Sequence, residues 1–212
     1  MSKSSGPNDK REDIAAIILA AGRSSRMGPQ NKLLLDTGGK PLLLNAVQAA
    51  LHSRAGQIII VTGHMHQEIS TAISEASPAG AICIVHNPDF ADGLSSSLRT
   101  GVNAMSAGTR AAMILLGDMP LITSSMIDRL IECYETMAPE KRIFAGASGK
   151  HRGHPVLWDS TFFEGLRLTT GDRGARDLLQ RNEEALELIE FPANRQVDID
   201  TPEDYRHYCT LK

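Results

Sequence analysis

Four short apolar runs rich in Ile and Val mark the first 120 residues of the chain, at Ile14–Leu19, Gln57–Thr62, Ala81–His86 and Ala111–Gly117. Apolar at nearly every position rather than at every second one, they predict strands buried on both faces, as in a parallel sheet. Between and after them, Pro41–His52, Met65–Glu75, Ser95–Met105 and Ser124–Met137 carry the helical period. Strands alternating with helices at this spacing predict an α/β fold built on an open, mostly parallel, doubly wound sheet. Further strands are expected around Arg142–Ala147, His154–Trp158 and Leu186–Phe191, with a helix near Gly174–Arg181. A last helix opens at Thr201-Pro202-Glu203-Asp204, where Thr201 is placed as N-cap, Pro202 at the first helical position and Asp204 three residues after the cap. Residues 1–12 are polar and expected to be disordered. With no internal repeat and no long linker, residues 13–212 read as a single domain.

Composition narrows the function classes. The chain has 212 residues, enough for one full core, with a formal charge of -3 and 4% aromatic residues. A nucleic-acid partner usually meets a basic field and stacking rings, and neither is present overall, so none is expected. The longest apolar run, Ile14 to Ala21, is far below the roughly 20 residues that span a bilayer, and the polar N-terminus is no signal peptide. Cys83, Cys133 and Cys209 are odd in number and far apart, which fits a reducing compartment. The expectation is a cytoplasmic protein with no membrane partner.

Open parallel sheets bind ligands at the carboxyl ends of their strands, so the loop after the first strand comes first. It reads Leu19-Ala20-Ala21-Gly22-Arg23-Ser24-Ser25-Arg26-Met27-Gly28, then Asn31-Lys32. Small residues at 20–22 let a ligand approach the backbone. Arg23, Arg26, Lys32 and Lys40 stand against Asp36 alone, a local positive excess in an acidic protein that fits an anionic small ligand. The alternative is a solvated basic loop around a tight turn. Neither Gly-x-x-x-x-Gly-Lys-Ser/Thr nor Gly-x-Gly-x-x-Gly occurs here, which excludes the P-loop and argues against a dinucleotide oxidoreductase.

LAAGRSSRMG followed by NKLLL resembles the signature of nucleotidyltransferases with a glycosyltransferase-A-like, Rossmann-like fold. Within them the chain is most similar to the molybdenum cofactor cytidylyltransferases and their relatives. The likeness continues in family order through GLSSSLRTG (93–101), LLGDMP (115–120), RGHPVL (152–157), GDRGARDLL (171–179) and DIDTPEDY (198–205). Each motif is modest alone; together they cover nearly the whole chain from Ile14.

The resemblance implies transfer of CMP from CTP to the phosphate of a molybdopterin-type acceptor, releasing pyrophosphate. A molybdoenzyme would then receive the product. Asp118 and Asp200 are implied ligands of Mg²⁺, a hard cation that takes one or two carboxylates plus phosphate oxygens; Asp198 is an alternative to Asp200. Without that role, Asp118 is a turn residue and Asp200 an acid favouring a helix start. Arg26 and Lys32 would grip the β- and γ-phosphates, giving catalytic residues Arg26, Lys32 and Asp118. Leu19, Ala20, Ala21, Gly22, Arg23 and Ser97 would complete the nucleotide site. Ser95, Ser96 and Ser97 read equally well as helix caps. Related guanylyltransferases tend to carry Gly where this chain has Ala21, which favours CTP. Gly153, His154, Pro155, Asp172 and Arg176 would face the acceptor; Asp172 is also a candidate N-cap and His154 a candidate structural histidine. The donor half would end near residue 120 and the acceptor half follow it. Rival readings are a GTP-using or sugar- or polyol-phosphate transferase, and a non-catalytic molybdoenzyme accessory protein. His64 and His66 read as surface residues, and Met113, Met119 and Met126 as core or pocket lining.

Overall fold

The computed structural model describes residues 10–24, 27, 31–137, 139–149, 151–192, 195 and 197–210. Seven strands, β1 (Arg11–Ala20), β2 (Ala55–Thr62), β3 (Cys83–His86), β4 (Ala111–Leu116), β5 (Ile143–Ser148), β6 (His151–Asp159) and β7 (Leu186–Glu190), form one sheet in the order β3-β2-β1-β4-β6-β5-β7. Helices α1 (Leu43–Leu51), α2 (His66–Ala76), α3 (Leu94–Asn103), α4 (Ser124–Thr136), α5 (Phe163–Arg167), α6 (Arg176–Gln180) and α7 (Pro202–Thr210) connect and cover it. The expected alternation of strand and helix is present. β1 begins at Arg11, inside the polar leader, and α5 is a short helix not anticipated in the sequence.

The central strand explains the unbroken apolar runs. Ile14, Ala16 and Ile18 pack with α1, α2 and α4, whereas Ala15, Ile17 and Leu19 pack with α3, α5 and α6. Side chains alternate across a strand, so burying both faces requires an apolar residue at every position. The register Ala16↔Ile58 and Ala16↔Met113 places β2 and β4 parallel to β1 on its two sides. The approach on the α3 face is close: a Cβ on Gly101 would lie 2.4 Å from Ile17 Cγ2.

The sheet is mixed because β6 runs antiparallel to both β4 and β5. This reversal brings the amino end of β6 to the carboxyl end of β4. The second half of the chain thereby faces the loop edge formed by the first half. Met113, Met119 and Met126 are all core residues, at 0%, 2% and 6% exposure.

Candidate active site

Asp118 follows β4 in a turn held tightly to β1. Gly117 N–H donates to the Leu19 carbonyl at 3.0 Å, and a Cβ on Gly117 would meet Leu43 Cδ1 at 2.8 Å. Lys32 opens a short 3-10 helix, Lys32–Leu34, whose cap Asn31 accepts the Leu33 N–H through Oδ1 at 3.0 Å. From there Lys32 Nζ reaches Asp118 Oδ2 at 2.6 Å and Asp200 Oδ1 at 2.7 Å. The loop carrying Asp200 is pinned twice. Ile199 N–H donates to the Asp118 carbonyl at 3.1 Å, and the Ile199 side chain is fully buried against Leu42 and Tyr208. Beyond it, Thr201 Oγ1 accepts the Asp204 N–H while Asp204 Oδ2 accepts the Thr201 N–H, the reciprocal cap expected for α7.

The charges in this cluster depend on one another. Burial alone would lower the Lys32 pKa, but the Asp118 and Asp200 carboxylates outweigh it and hold the ammonium above its ordinary value. Asp198, flanking the same loop, is pushed up to about 6 by burial and by the charges of Asp118 and Asp200. Asp118 Oδ1 is buried and has no hydrogen-bond partner among the described residues. Nor do three or more His, Cys, Asp and Glu side chains converge in a metal-holding group among those residues. A divalent ion here would therefore rest on Asp118 and Asp200 and take its remaining oxygens from a phosphate-bearing ligand. That is the donor set Mg²⁺ commonly accepts, so the residues present fit it.

These groups border a cleft of about 510 Å³. Of the residues expected to bind nucleotide, Leu19, Ala20, Ala21, Gly22, Arg23, Lys32, Ser97 and Asp118 all line it, as does Asp200, expected as a metal ligand. Arg26 lies outside the described residues. Asp172, expected on the acceptor side, lines this cleft instead. Its alternative reading as an N-cap is corrected, because the cap position of α6 is Ala175. The capping of α3 is corrected as well. Gly93 holds the cap position at φ 99° and ψ 177°, and the helix has no side-chain cap. Ser95, Ser96 and Ser97 instead lie inside the first turn, buried, with Asn87 Nδ2 donating to Ser96 Oγ at 2.8 Å and to Ser97 Oγ at 3.0 Å.

A second cavity of about 690 Å³ opens beside the first. Gly153, His154 and Arg176 line it together with Arg152, Arg173 and an apolar floor that includes Trp158 and Leu179. Pro155 is buried and lines neither cavity. His154 sits inside β6, which begins three residues earlier than expected, and its Nδ1 donates to the Ile114 carbonyl at 3.2 Å. Burial lowers the His154 pKa, and the hydrogen bond to Ile114 works against it. Leu19, Leu94, Leu116 and Asp198 border both cavities, which are thus contiguous, with Asp198 the charged residue at the seam.

Several site residues were missed in the sequence. Phe90, Gly93 and Leu94 line the nucleotide-side cleft, and the Asp-Gly step before α3 was their one available signal. His64 and His66 are half-buried rather than on the surface. His66 Nδ1 lies 2.6 Å from Thr62 Oγ1, and its ring stacks on His86.

The family model of the MobA-like NTP transferase domain matches residues 16–186. The chain is 32% identical to the purine catabolism protein PucB of Bacillus subtilis over 198 residues, covering 91% of this chain and 94% of that one. It is 30% identical to the molybdenum cofactor cytidylyltransferase of Escherichia coli over 193 residues, covering 91% and 93%. A solved nucleotidyl transferase from Methanothermobacter superposes with a TM-score of 0.78 at 26% identity, covering 94% of this chain and 99% of the other.

Proposed function

The chain belongs to the MobA-like NTP transferase family, and from that premise we propose that it transfers CMP from CTP to the phosphate of a molybdopterin-type acceptor. The observation that carries this reading is the joint grip of Lys32 on Asp118 and Asp200 at the edge of one cavity that opens into a second. An acceptor phosphate oxygen attacks the α-phosphorus of CTP, a P–O bond forms, and the bond to the β-phosphate breaks to release pyrophosphate. The attacking oxygen is ionised at neutral pH, so no general base is needed, and positioning with charge neutralisation carries the step.

On this reading Leu19–Arg23 and Ser97 hold the nucleotide, and Lys32 stabilises charge on the departing pyrophosphate together with Arg26. Asp118 and Asp200 would hold Mg²⁺, which would supply charge neutralisation to the phosphates. Arg176, Gly153 and His154 face the acceptor. Ala21 supports cytosine as the base. The donor half runs to about residue 120 and the acceptor half beyond it, with Asp172 reaching back across the boundary. The reading extends to the cytoplasm, supported by three free thiols. Among the described residues no helix is long and apolar enough to cross a membrane.

A second reading keeps the donor half and changes the acceptor to another phosphate compound. The likeness to PucB, as extensive as that to the cytidylyltransferase, favours keeping it in view. One assay separates the two: pyrophosphate release with Mg²⁺, each of the four NTPs, and a panel of molybdopterin-type and sugar-phosphate acceptors. Turnover with CTP and the molybdopterin-type acceptor is the expected result. Turnover with another acceptor selects the second reading, and none with any nucleotide overturns both.

A further inference from the structure

Phe90 is the aromatic residue among the described lining of the nucleotide-side cleft. It starts a short 3-10 turn after β3, and its root is wedged against the end of β2. A Cβ on Gly63 would lie 2.6 Å from Phe90 Cβ and 2.8 Å from Phe90 Cγ. The ring therefore keeps its place because position 63 has no side chain. The Arg23 guanidinium lies over the ring, 5.5 Å from its centroid. That face thus points toward the loop whose backbone lines the cleft, and it already receives one flat, delocalised group.

The sheet order fixes where this face lies relative to the phosphate-handling groups. Asp118 stands at the end of β4 and the root of Phe90 packs at the end of β2, two strand spacings apart across β1. At the usual inter-strand distance this is roughly 10 Å, a nucleotide-sized span. With phosphates at Lys32 and Asp118, the opposite end of the cleft is left for the base. We propose that the nucleobase takes the place of the Arg23 guanidinium on this face of Phe90 and stacks there, an inference that rests on the nucleotide reading above. Every base has a π-face, so the platform supplies affinity for a nucleoside triphosphate and leaves the choice among bases to other groups.

The test measures binding of CTP and of inorganic tripolyphosphate, each with Mg²⁺, to the full chain by titration calorimetry. Phe90→Leu keeps apolar bulk against Gly63 and removes the ring; Phe90→Trp keeps a ring. Phe90→Leu is expected to weaken CTP at least about fivefold, to leave tripolyphosphate within about twofold, and Phe90→Trp to restore CTP. Equal weakening of both ligands, or no weakening of CTP in Phe90→Leu, overturns the platform. Loss of fold in Phe90→Leu leaves the decision to Phe90→Trp, in which CTP weakened alongside tripolyphosphate overturns it and CTP held at wild-type affinity supports it. Wild-type protein that binds tripolyphosphate but no nucleoside triphosphate overturns the nucleotide reading itself.

Discussion

Replacing Gly93 by Ala tests the contact that couples the start of α3 to the 171–174 loop. Gly93 has φ 99° and ψ 177°, a region essentially closed to residues with a Cβ, at a strain of about 1–3 kcal/mol. The added methyl would also lie 2.3 Å from Asp172 Oδ1 and 2.7 Å from the Gly171 carbonyl carbon. The carboxylate can swing away, but the backbone can yield only by moving the loop off α3. That movement stretches the Ser95 N–H bond to the Gly171 carbonyl, 3.1 Å, and the Ser95 Oγ bond to the Gly174 carbonyl, 3.5 Å. Each is worth about 1 kcal/mol. Together these terms put the loss at about 3–5 kcal/mol, or a Tm lower by about 6–20 °C for a chain of this size. Urea unfolding followed by circular dichroism measures it. Gly22→Ala is the matched control, because a Cβ there meets nothing within 4 Å, and it should change stability by no more than about 1 kcal/mol. A loss below about 1 kcal/mol in Gly93→Ala would show that the 171–174 loop yields freely and that the contact does not hold the two halves together.

Three further outcomes are expected. Lys32→Ala should lower turnover in the pyrophosphate assay at least about tenfold, roughly 1.4 kcal/mol of transition-state stabilisation; a change confined to the KM for CTP would limit Lys32 to binding. Asp118→Asn should lower turnover at least about a hundredfold with native circular dichroism, because it alters a strand-end oxygen and removes no core volume. Near-wild-type rates would refute the metal assignment. Tyr134 Oη donates to Asp159 Oδ2 at 2.9 Å, and burial, then this bond, pushes the phenol up to about 12. A raised folded pKa means that the phenol's contribution is complete below its unfolded value near 10 and is lost as pH rises through about 12. Tyr134→Phe should thus be less stable by about 1 kcal/mol at neutral pH, and the gap to wild type should close above pH 12 in urea titrations; a gap independent of pH refutes the linkage.

The donor half of the site was readable because its roles attach to backbone positions. Ala20, Ala21 and Gly22 at the end of β1 and Asp118 at the end of β4 fall at strand ends that the apolar runs delimit directly. Lys32 needed the family likeness, since its meeting with Asp200 spans 168 residues of sequence. The direction of β6 was hidden because an apolar run such as Val156–Trp158 looks the same in parallel and antiparallel pairing. Capping is one of two equal readings of Ser95–Ser97, because serine is a good cap locally. Tertiary packing decided otherwise: Asn87 supplies the serines with a buried partner, and Gly93 takes the backbone conformation that a serine would resist. Beyond the Asp-Gly step nothing local marks Phe90, whose position follows from its close approach to Gly63; Asp198 sits in a recognisable motif, but its burial follows from the packing of Ile199.

The same geometry separates what a metal ion does for chemistry from what it does for the fold. In many metal sites, removing the ion leaves carboxylates repelling one another, and the protein loosens. Here the Lys32 ammonium already bridges Asp118 and Asp200, at 2.6 and 2.7 Å, and offsets much of their repulsion, and the loop bearing Asp200 is held by the Ile199–Asp118 backbone bond and the Thr201–Asp204 cap. None of those contacts uses a metal. EDTA is therefore expected to abolish pyrophosphate release while shifting Tm by less than about 2 °C, and Mg²⁺ without nucleotide should raise Tm no further than that, since a ligand stabilises only as far as it binds the native state more tightly than the unfolded one and Lys32 competes for the same carboxylates. Mg²⁺ added together with CTP should give the larger rise, because phosphate oxygens complete the ion's coordination and offer Lys32 another anion. A large drop in Tm on chelation would mean that the ion, rather than Lys32, holds the two carboxylates together.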